Sequence, residues 1–441
     1  MTETSFQRYH DRKAPTLYAL IDLIIPGCLL YIIHTIIGLT GWGRAYTTMA
    51  ILSGIFFFLA TAIQRGYSRY NERSISKKLE ITFKTWFINV LFLLVITYFY
   101  LATLKFDRLI MSSWVILTPL FVITLKSLIS YFNRKLSKAK INVLILGNHY
   151  SFNEFELNML KSQNIQLSYI KILEAERVKQ KTLESSPDYL LLNLEKPASS
   201  DLIKELTHLD VDGIKLIALH NFMEVFLRKC YIPYDKKDLS YLEKIRSYSL
   251  SDYILKRIID WLVVLLLGAI SIPIILFSMY KIKKESPGKL FFCQSRVGLK
   301  GKNFMAIKFR SMHENAKFNP YTQKEDPRIY PYGNFMRKAR IDELPQLWNV
   351  VKGDMHLLGP RTEWDILVEN YEKEIPYYHE RHLVRPGISG WAQVLYPYGA
   401  NTEDSRQKLM YDLYYIKHWS IWLEIEALIR TVGVVLGKKG L

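Results

Sequence analysis

Asp342 and Glu343 stand side by side in the stretch from Phe335 to Arg361, with Arg337, Lys338 and Arg340 just before them and Pro345 just after. Neighbouring cations favour the ionised form of a carboxylate, which a nucleophilic aspartate needs, and the N–H groups of a helix start attract phosphate oxygens. Pro345 in a first turn and Gly353 at the far end predict a short helix beside the acid pair. That arrangement suits chemistry on phosphate esters. The same residues also read as an N-capped helix with a solvated charge cluster, and the stretch alone does not choose between the two.

The elements that must position this pair belong to a membrane protein. Hydrophobic residues make up 49% of the 441 and aromatics 14%, yet mean hydropathy is near zero, so strongly apolar stretches are balanced by charged ones. A net charge of +18 could suit a nucleic-acid partner, but no helix-turn-helix, finger or RNA-binding string accompanies it, and basic residues flanking membrane segments explain it more simply. Cys28, Cys230 and Cys293 lie far apart in no metal-binding spacing, which predicts free thiols on the reducing side of the membrane.

Four apolar segments, 17–37, 46–63, 83–104 and 109–130, each approach the roughly 20 residues that cross a bilayer. The second loop carries Arg65, Arg69, Arg73, Lys77 and Lys78, whereas the first has only Arg44 and the third only Lys105, Asp107 and Arg108. The positive-inside rule therefore puts both ends of this four-helix transmembrane domain, 1–138, in the cytoplasm. From Ile141 strands alternate with helices, with strands expected at 141–147 and near 166–173, 188–193 and 214–219. This predicts a Rossmann-like α/β domain over 139–235. A dinucleotide site needs G-x-G-x-x-G after the first strand; here Gly147 is followed by Asn-His-Tyr-Ser-Phe, so the fingerprint is degenerate.

A polar linker, 236–255, leads to the apolar run Ile258 to Tyr280. Lys256 and Arg257 precede it and Lys281, Lys283 and Lys284 follow, so charge favours both flanks on one side. Ser271 and Pro273 supply a break, because proline removes a helix hydrogen bond and a nearby serine can serve the freed carbonyl. The expectation is a re-entrant helix-break-helix, with everything after Lys281 on the cytoplasmic face. Strands near 290–297 and 303–310 form a hairpin around Gly298 that brings Arg296, Lys308 and Arg310 toward the membrane surface. Further on, His379 and His382 lack a carboxylate–histidine metal spacing and read as structural. Gly387 and Gly390 would let backbone approach a ligand. The stretch 411–436 mixes Tyr411, Tyr414, Tyr415, Trp419 and Trp422 with charges, which suits either helices in the interface plane or helices packed on the core.

Seven strings in order carry a resemblance: Lys-Arg-Ile-Ile-Asp (256–260), Phe-Phe-Cys-Gln-Ser-Arg-Val-Gly (291–298), Lys-Phe-Arg-Ser-Met (308–312), Asp-Glu-Leu-Pro-Gln-Leu-Trp-Asn-Val (342–350), Lys-Gly-Asp-Met (352–355), Gly-Pro-Arg (359–361) and Arg-Pro-Gly-Ile-Ser-Gly-Trp-Ala-Gln-Val (385–394). Over 256–441 the chain resembles the bacterial sugar transferases, monotopic phosphoglycosyl transferases that move a hexose-1-phosphate from a UDP-sugar to polyprenyl phosphate. Within the family it looks most like the exopolysaccharide and exosortase-linked branch. The implied fold is a membrane α/β protein: a four-helix transmembrane bundle, a Rossmann-like domain and a monotopic α+β catalytic domain anchored at the inner membrane.

The resemblance implies Asp342 as nucleophile, Glu343 as ligand of Mg²⁺, and Arg310, Arg337, Arg361, Arg385, Lys308 and Gln346 as substrate-binding residues, with Asp354 bracing the motif. It places the kink at Ser271 and Pro273, although the inserted Ile272 departs from the usual Ser-Pro. Thr362 stands where the family carries a second proline, which would loosen the turn holding Arg361. The implied partners are a UDP-sugar, undecaprenyl phosphate and the lipid bilayer, with no nucleic acid and a homodimer left open. The alternatives are a non-enzymatic scaffold of polysaccharide assembly or a membrane-tethered nucleotide-sugar dehydratase or epimerase.

Overall fold

The computed structural model describes residues 3–37, 41–67, 74–100, 106–136, 140–148, 150–171, 174–194, 198–233, 245–316, 326–396 and 401–436. The chain divides into two compact units, 1–140 and 141–441.

The first unit is four helices: α1 (Glu3–Ile37), α2 (Arg44–Ile63), α3 (Ile75–Tyr100) and α4 (Arg108–Leu136). Each presents one stripe inward, with Tyr18 and Leu30, Met49 and Phe57, Trp86 and Leu93, and Trp114 and Val122 buried together, while Ile36, Ile63, Phe87 and Leu94 face out. Helix α3 starts eight residues before the apolar run at 83, because the Ser74 hydroxyl accepts from the Lys77 N–H and caps it there. Asp22 and Lys126 form a buried ion pair, and the Tyr67 hydroxyl donates to Asp22 at 2.8 Å. Unpaired, either charge would be costly in an apolar interior.

The second unit opens with four parallel strands in the order β2-β1-β3-β4: β1 (Ile141–Gly147), β2 (Ile165–Ile170), β3 (Tyr189–Asn193) and β4 (Lys215–Ala218). Helices α5 (Glu154–Ser162), α6 (Ala175–Ser185), α7 (Ser200–Val211) and α8 (Leu219–Phe222) connect and flank them. Strand alternation splits the core in two. Leu144, Leu146 and Leu190 pack on Val178, Leu202 and Leu206, whereas Val143, Ile145 and Leu191 share a core with Val297, Val368, Tyr378, Leu409 and Leu413. One sheet face is thus buried against the region expected to form a separate domain. Buried polar ties reinforce the seam: Lys229 bonds Glu156 and Gln407, and the Cys230 N–H donates to the Met410 carbonyl at 2.9 Å.

The first nine residues of the expected linker, 236–244, lie outside the described residues, and helix α9 (Leu250–Glu285) begins within its last part, capped by Ser249. Helix α9 runs through Pro273 as one helix, so the expected helix-break-helix is not a gap in helical backbone. The Ser271 hydroxyl donates to the Gly268 carbonyl, one residue before the carbonyl that Pro273 frees. Next come the antiparallel hairpin β5 (Phe291–Val297) and β6 (Asn303–Phe309), then α10 (Pro331–Lys338) and α11 (Gln346–Lys352). The parallel pair β7 (His356–Leu358) and β8 (Gly387–Ser389) brackets α12 (Asp365–Glu374). Helices α13 (Trp391–Leu395), α14 (Thr402–Lys417) and α15 (Ile421–Leu436) close the chain. Tyr411 and Tyr415 on α14 are fully buried, which settles the choice for that helix in favour of core packing.

Candidate active site

Helix α10 stops at Ala339, and Arg340 takes a left-handed conformation with φ of 58° that reverses the chain into a single 3₁₀ turn, Ile341–Glu343. Pro345 then caps α11, whose interior begins with Gln346. The acid pair therefore sits in the corner between two short helices, one turn earlier than a place inside the second helix. Across from it run β6, carrying Lys308, and the segment after β7, carrying Arg361.

Glu343 is the hub of the corner. Its Oε1 lies 3.1 Å from Lys308 Nζ, 3.1 Å from Arg361 Nη2 and 3.5 Å from Arg340 Nη1. Burial works against its ionisation, but Lys308, Arg361 and Arg340 together hold its carboxyl well below the usual range. Asp342 goes the other way. Burial and the adjacent Glu343 charge push it up to about 6, against the pull of Lys308, Arg337 and Arg340. The surroundings thus drive the two neighbouring carboxyls apart, Glu343 toward its charged form and Asp342 toward its neutral one. Burial also lowers the Lys308 ammonium, and Glu343 resists that shift.

Two of the supporting residues, Asn349 and Arg381, were given no role by the sequence. The buried Asn349 side chain accepts from the Ile307 N–H at 3.1 Å and donates to the Met305 carbonyl at 2.8 Å, so its amide lies along β6 as a strand residue would. Asp354 accepts from the same amide at 3.0 Å and pairs with Lys352. Arg361 is held through its backbone: its carbonyl accepts from Arg381 at 2.8 Å, and it bridges Gly387. The carbonyl of Thr362 accepts from Arg296 at 3.0 Å, so the turn lacking its second proline is fastened by side chains.

Of the residues expected to bind substrate, Lys308, Arg361 and Arg337 gather around the pair, the last through its charge on Asp342. Gln346 is buried in the first turn of α11. Arg310 and Arg385 hydrogen-bond to backbone carbonyls, and Nε and Nη1 of Arg310 are buried without a hydrogen-bond partner among the described residues. Arg310 is buried, donates to the Ser286 carbonyl at the end of α9 and lies 3.9 Å from Glu314. Arg385 donates to the Gly353 carbonyl at 2.7 Å and stacks on Tyr253. Both satisfy helix-end carbonyls, a use of arginine that motif position does not distinguish from ligand binding. Gly387 and Gly390 serve chain packing as well, since a Cβ on either would come within 2.2 Å of the Gly359 backbone. At the strand ends where the absent fingerprint would lie, the Asn148 N–H donates to the Asn193 carbonyl and the Asn193 amide donates back to the Asn148 carbonyl.

No cluster of three or more metal-ligating side chains occurs among the described residues. The donor set is two adjacent carboxylates, hard oxygens of the kind Mg²⁺ takes in ones and twos while substrate phosphates fill the rest of its shell. The residues fit such an ion, which would share Glu343 with three side-chain cations.

The bacterial sugar transferase family model matches residues 251–438. The chain is 44% identical over 184 residues to the UDP-N-acetylgalactosamine-undecaprenyl-phosphate N-acetylgalactosaminephosphotransferase of Aeromonas hydrophila, covering 41% of this chain and 44% of that one. It is 40% identical over 185 residues to a UDP-glucose:undecaprenyl-phosphate glucose-1-phosphate transferase of Caulobacter vibrioides, covering 41% of this chain and 69% of the relative. It is 38% identical to the uncharacterized sugar transferase EpsL of Bacillus subtilis, over 43% of this chain and 90% of the relative. The match thus spans under half of the Aeromonas protein and most of the two others. With Asp342, Glu343 and their basic partners all inside the matched span, the chain belongs to the bacterial sugar transferase family.

Proposed function

We propose that this protein transfers a hexose-1-phosphate from a UDP-sugar to polyprenyl phosphate, releasing UMP. The observation that carries the reading is the acid corner itself, Asp342 beside a Glu343 whose Oε1 lies within 3.5 Å of Lys308, Arg361 and Arg340. The activities for which the Aeromonas and Caulobacter relatives are named support it. Ionised Asp342 attacks the phosphorus next to the sugar; an aspartyl-phosphosugar forms as the pyrophosphate bond breaks, and the electron pair leaves on UMP. The polyprenyl phosphate oxygen then attacks the same phosphorus and frees Asp342. Lys308, Arg337 and Arg361 collect the charge that develops on the phosphoryl oxygens. Mg²⁺ held by Glu343 would supply Lewis-acid polarisation of those oxygens.

The membrane side of the reading is a cytoplasmic-face enzyme with four crossings in the first unit and α9 entering and returning. Both flanks of α9 are tied to one catalytic unit: Lys256 to Glu424 at one end, Glu285 to the Tyr332 N–H at the other. That supports keeping them on one face. Lys256 is buried, so cysteines placed at the exposed Ser251 and Lys284 are the right reporters. Labelling of the two from opposite faces would sink this topology.

The test of the chemistry is UMP release from a panel of UDP-sugars with Mg²⁺. The parent should release UMP without acceptor, once per active site, and pass the sugar phosphate to undecaprenyl phosphate when that is added. The Asp342→Asn variant should release none, and release at the parental rate would overturn the covalent scheme.

A further inference from the structure

The first turns of α9 fasten to four separate elements of the second unit within five residues, Lys256 to Asp260. Lys256 Nζ lies 2.7 Å from Glu424 of α15 and donates to the Tyr415 hydroxyl of α14 at 2.8 Å. Arg257 donates from Nη1 to the Val350 carbonyl at 2.8 Å and reaches the Val351 carbonyl at 3.4 Å, covering orphan carbonyls in the last turn of α11. Asp260 accepts from the Leu357 N–H of β7 at 3.0 Å and pairs with His356 Nδ1 at 2.5 Å. Immediately beyond, Leu262, Leu265, Leu266 and Ile270 are all more than half exposed. The clasp therefore sits at the start of the longest exposed apolar stretch of α9, with Leu250 and Ile254 exposed ahead of it.

Helix α11 joins this clasp to the chemistry. Arg257 grips its C-terminal end, while Pro345, two residues after Glu343, caps its start. The span from Glu343 to Val350 is seven residues, about 10 Å of helix, and Asn349 fixes its side against β6. A shift of α9 would thus be carried to the acid pair with little loss. The two substrates would feel this differently. A soluble donor can reach the pair at any height, but the acceptor's phosphate is confined to headgroup depth by its lipid chain.

We propose that Arg257 is a positioning residue that sets the height of Asp342 above the bilayer for the membrane-borne acceptor. The proposal rests on the transfer reaction above. Removing the guanidinium releases the end of α11 from the membrane helix without touching Asp342, Glu343 or the cations around them. The first half-reaction continues and the second fails only where the acceptor is held in a membrane.

The test compares full-length parent, Arg257→Ala and Arg257→Lys in vesicles. Acceptor-independent UMP release should stay near parental in both variants. Transfer to long-chain polyprenyl phosphate in the same vesicles should fall by roughly a hundredfold in Arg257→Ala, the scale of a misplacement of about 1 Å, and by less in Arg257→Lys. A short-chain prenyl phosphate dispersed in detergent should restore transfer. Equal loss with both acceptors, or no loss with either, overturns the proposal. Asp260→Asn keeps the side-chain shape, weakens the tie to His356 and should reproduce the split if Arg257→Ala fails to fold. Failure of the parent to release UMP would instead count against the reaction itself.

Discussion

The two ends of helix α11 are built on opposite principles. At its start, Asp342 and Glu343 crowd like charges into a partly buried corner, and three cations converge on one oxygen of Glu343. At its finish, Arg257 and Arg385 meet the carbonyls of Val350 and Gly353, and Asp354 and Asn349 close a compact hydrogen-bonded set. The first end concentrates electrostatic conflict and the second satisfies its polar groups. A reactive carboxyl needs the conflict, because it keeps Asp342 from resting in a stable ion pair, and the conflict can be tolerated only where the neighbouring backbone is fixed.

The sharpest way to separate the ends is Asp342→Asn. Activity should vanish, yet the variant should be more resistant to heat than the parent at pH 8. The carboxyl's folded pKa of about 6 lies above the roughly 3.9 of an unfolded aspartate, so the fold favours the protonated form. Its contribution is full at low pH and is lost as pH rises through 6. The stability gap between variant and parent should accordingly close below about pH 4. Melting curves at the two pH values check this, and a variant less stable at pH 8 would show that Asp342 is held by contacts rather than opposed by burial.

Glu343→Gln should come next, lowering UMP release by roughly a hundredfold through loss of the hub that organises Lys308, Arg361 and Arg340. It also removes the like charge raising Asp342, so the pH midpoint of the residual rate should move below 6. Arg337→Gln removes an opposing charge and should move that midpoint upward. Rates measured from pH 4 to 9 distinguish the directions; shifts of the same sign would break the assignment of Asp342 as the titrating group.

What sequence could and could not reveal divides along the same helix. Adjacency and local basicity made Asp342 and Glu343 visible, and Pro345 and Gly353 bounded the helix to within a residue. Hydropathy marked the apolar runs, although the start of α3 depended on Ser74, a capping signal outside any apolar pattern. At the C-terminal end the motif residues were legible but their work was not. Arg385 looks the same in sequence whether it meets a nucleotide or a carbonyl, and Lys256 looks like a membrane-flanking cation until Glu424, 168 residues on, is folded against it. Asn349 carried no signal, because an amide that substitutes for a strand residue is recognised only by the strand beside it. The shared core between the Rossmann-like sheet and α14 was hidden for a related reason: alternation shows that both faces of β1 are apolar, but not what covers each one.

Asn349→Ala tests the satisfied end directly. It leaves the Ile307 N–H and Met305 carbonyl without their buried partner, at a cost of about 1–3 kcal/mol for each group stranded. The loss should appear in denaturant unfolding, with UMP release at low temperature reduced far less than in Glu343→Gln. A variant as stable as the parent would mean that water replaces the amide and that β6 does not depend on α11 for its place.

The smallest effect should come from restoring the missing proline. Thr362→Pro changes a residue whose carbonyl accepts from Arg296, an acceptor that proline retains. Proline also restricts the residue before it to extended backbone, and Arg361 already bridges Gly387 as a strand residue would. The substitution keeps the carbonyl that Arg296 uses, and any gain from a stiffer unfolded chain is no more than about 1 kcal/mol. Donor KM and the UMP-release rate should therefore stay close to parental. A clear improvement in either would show that Arg296 and Arg381 leave slack in the placement of Arg361, and that the reactive end of the site is less firmly backed than its hydrogen bonds indicate.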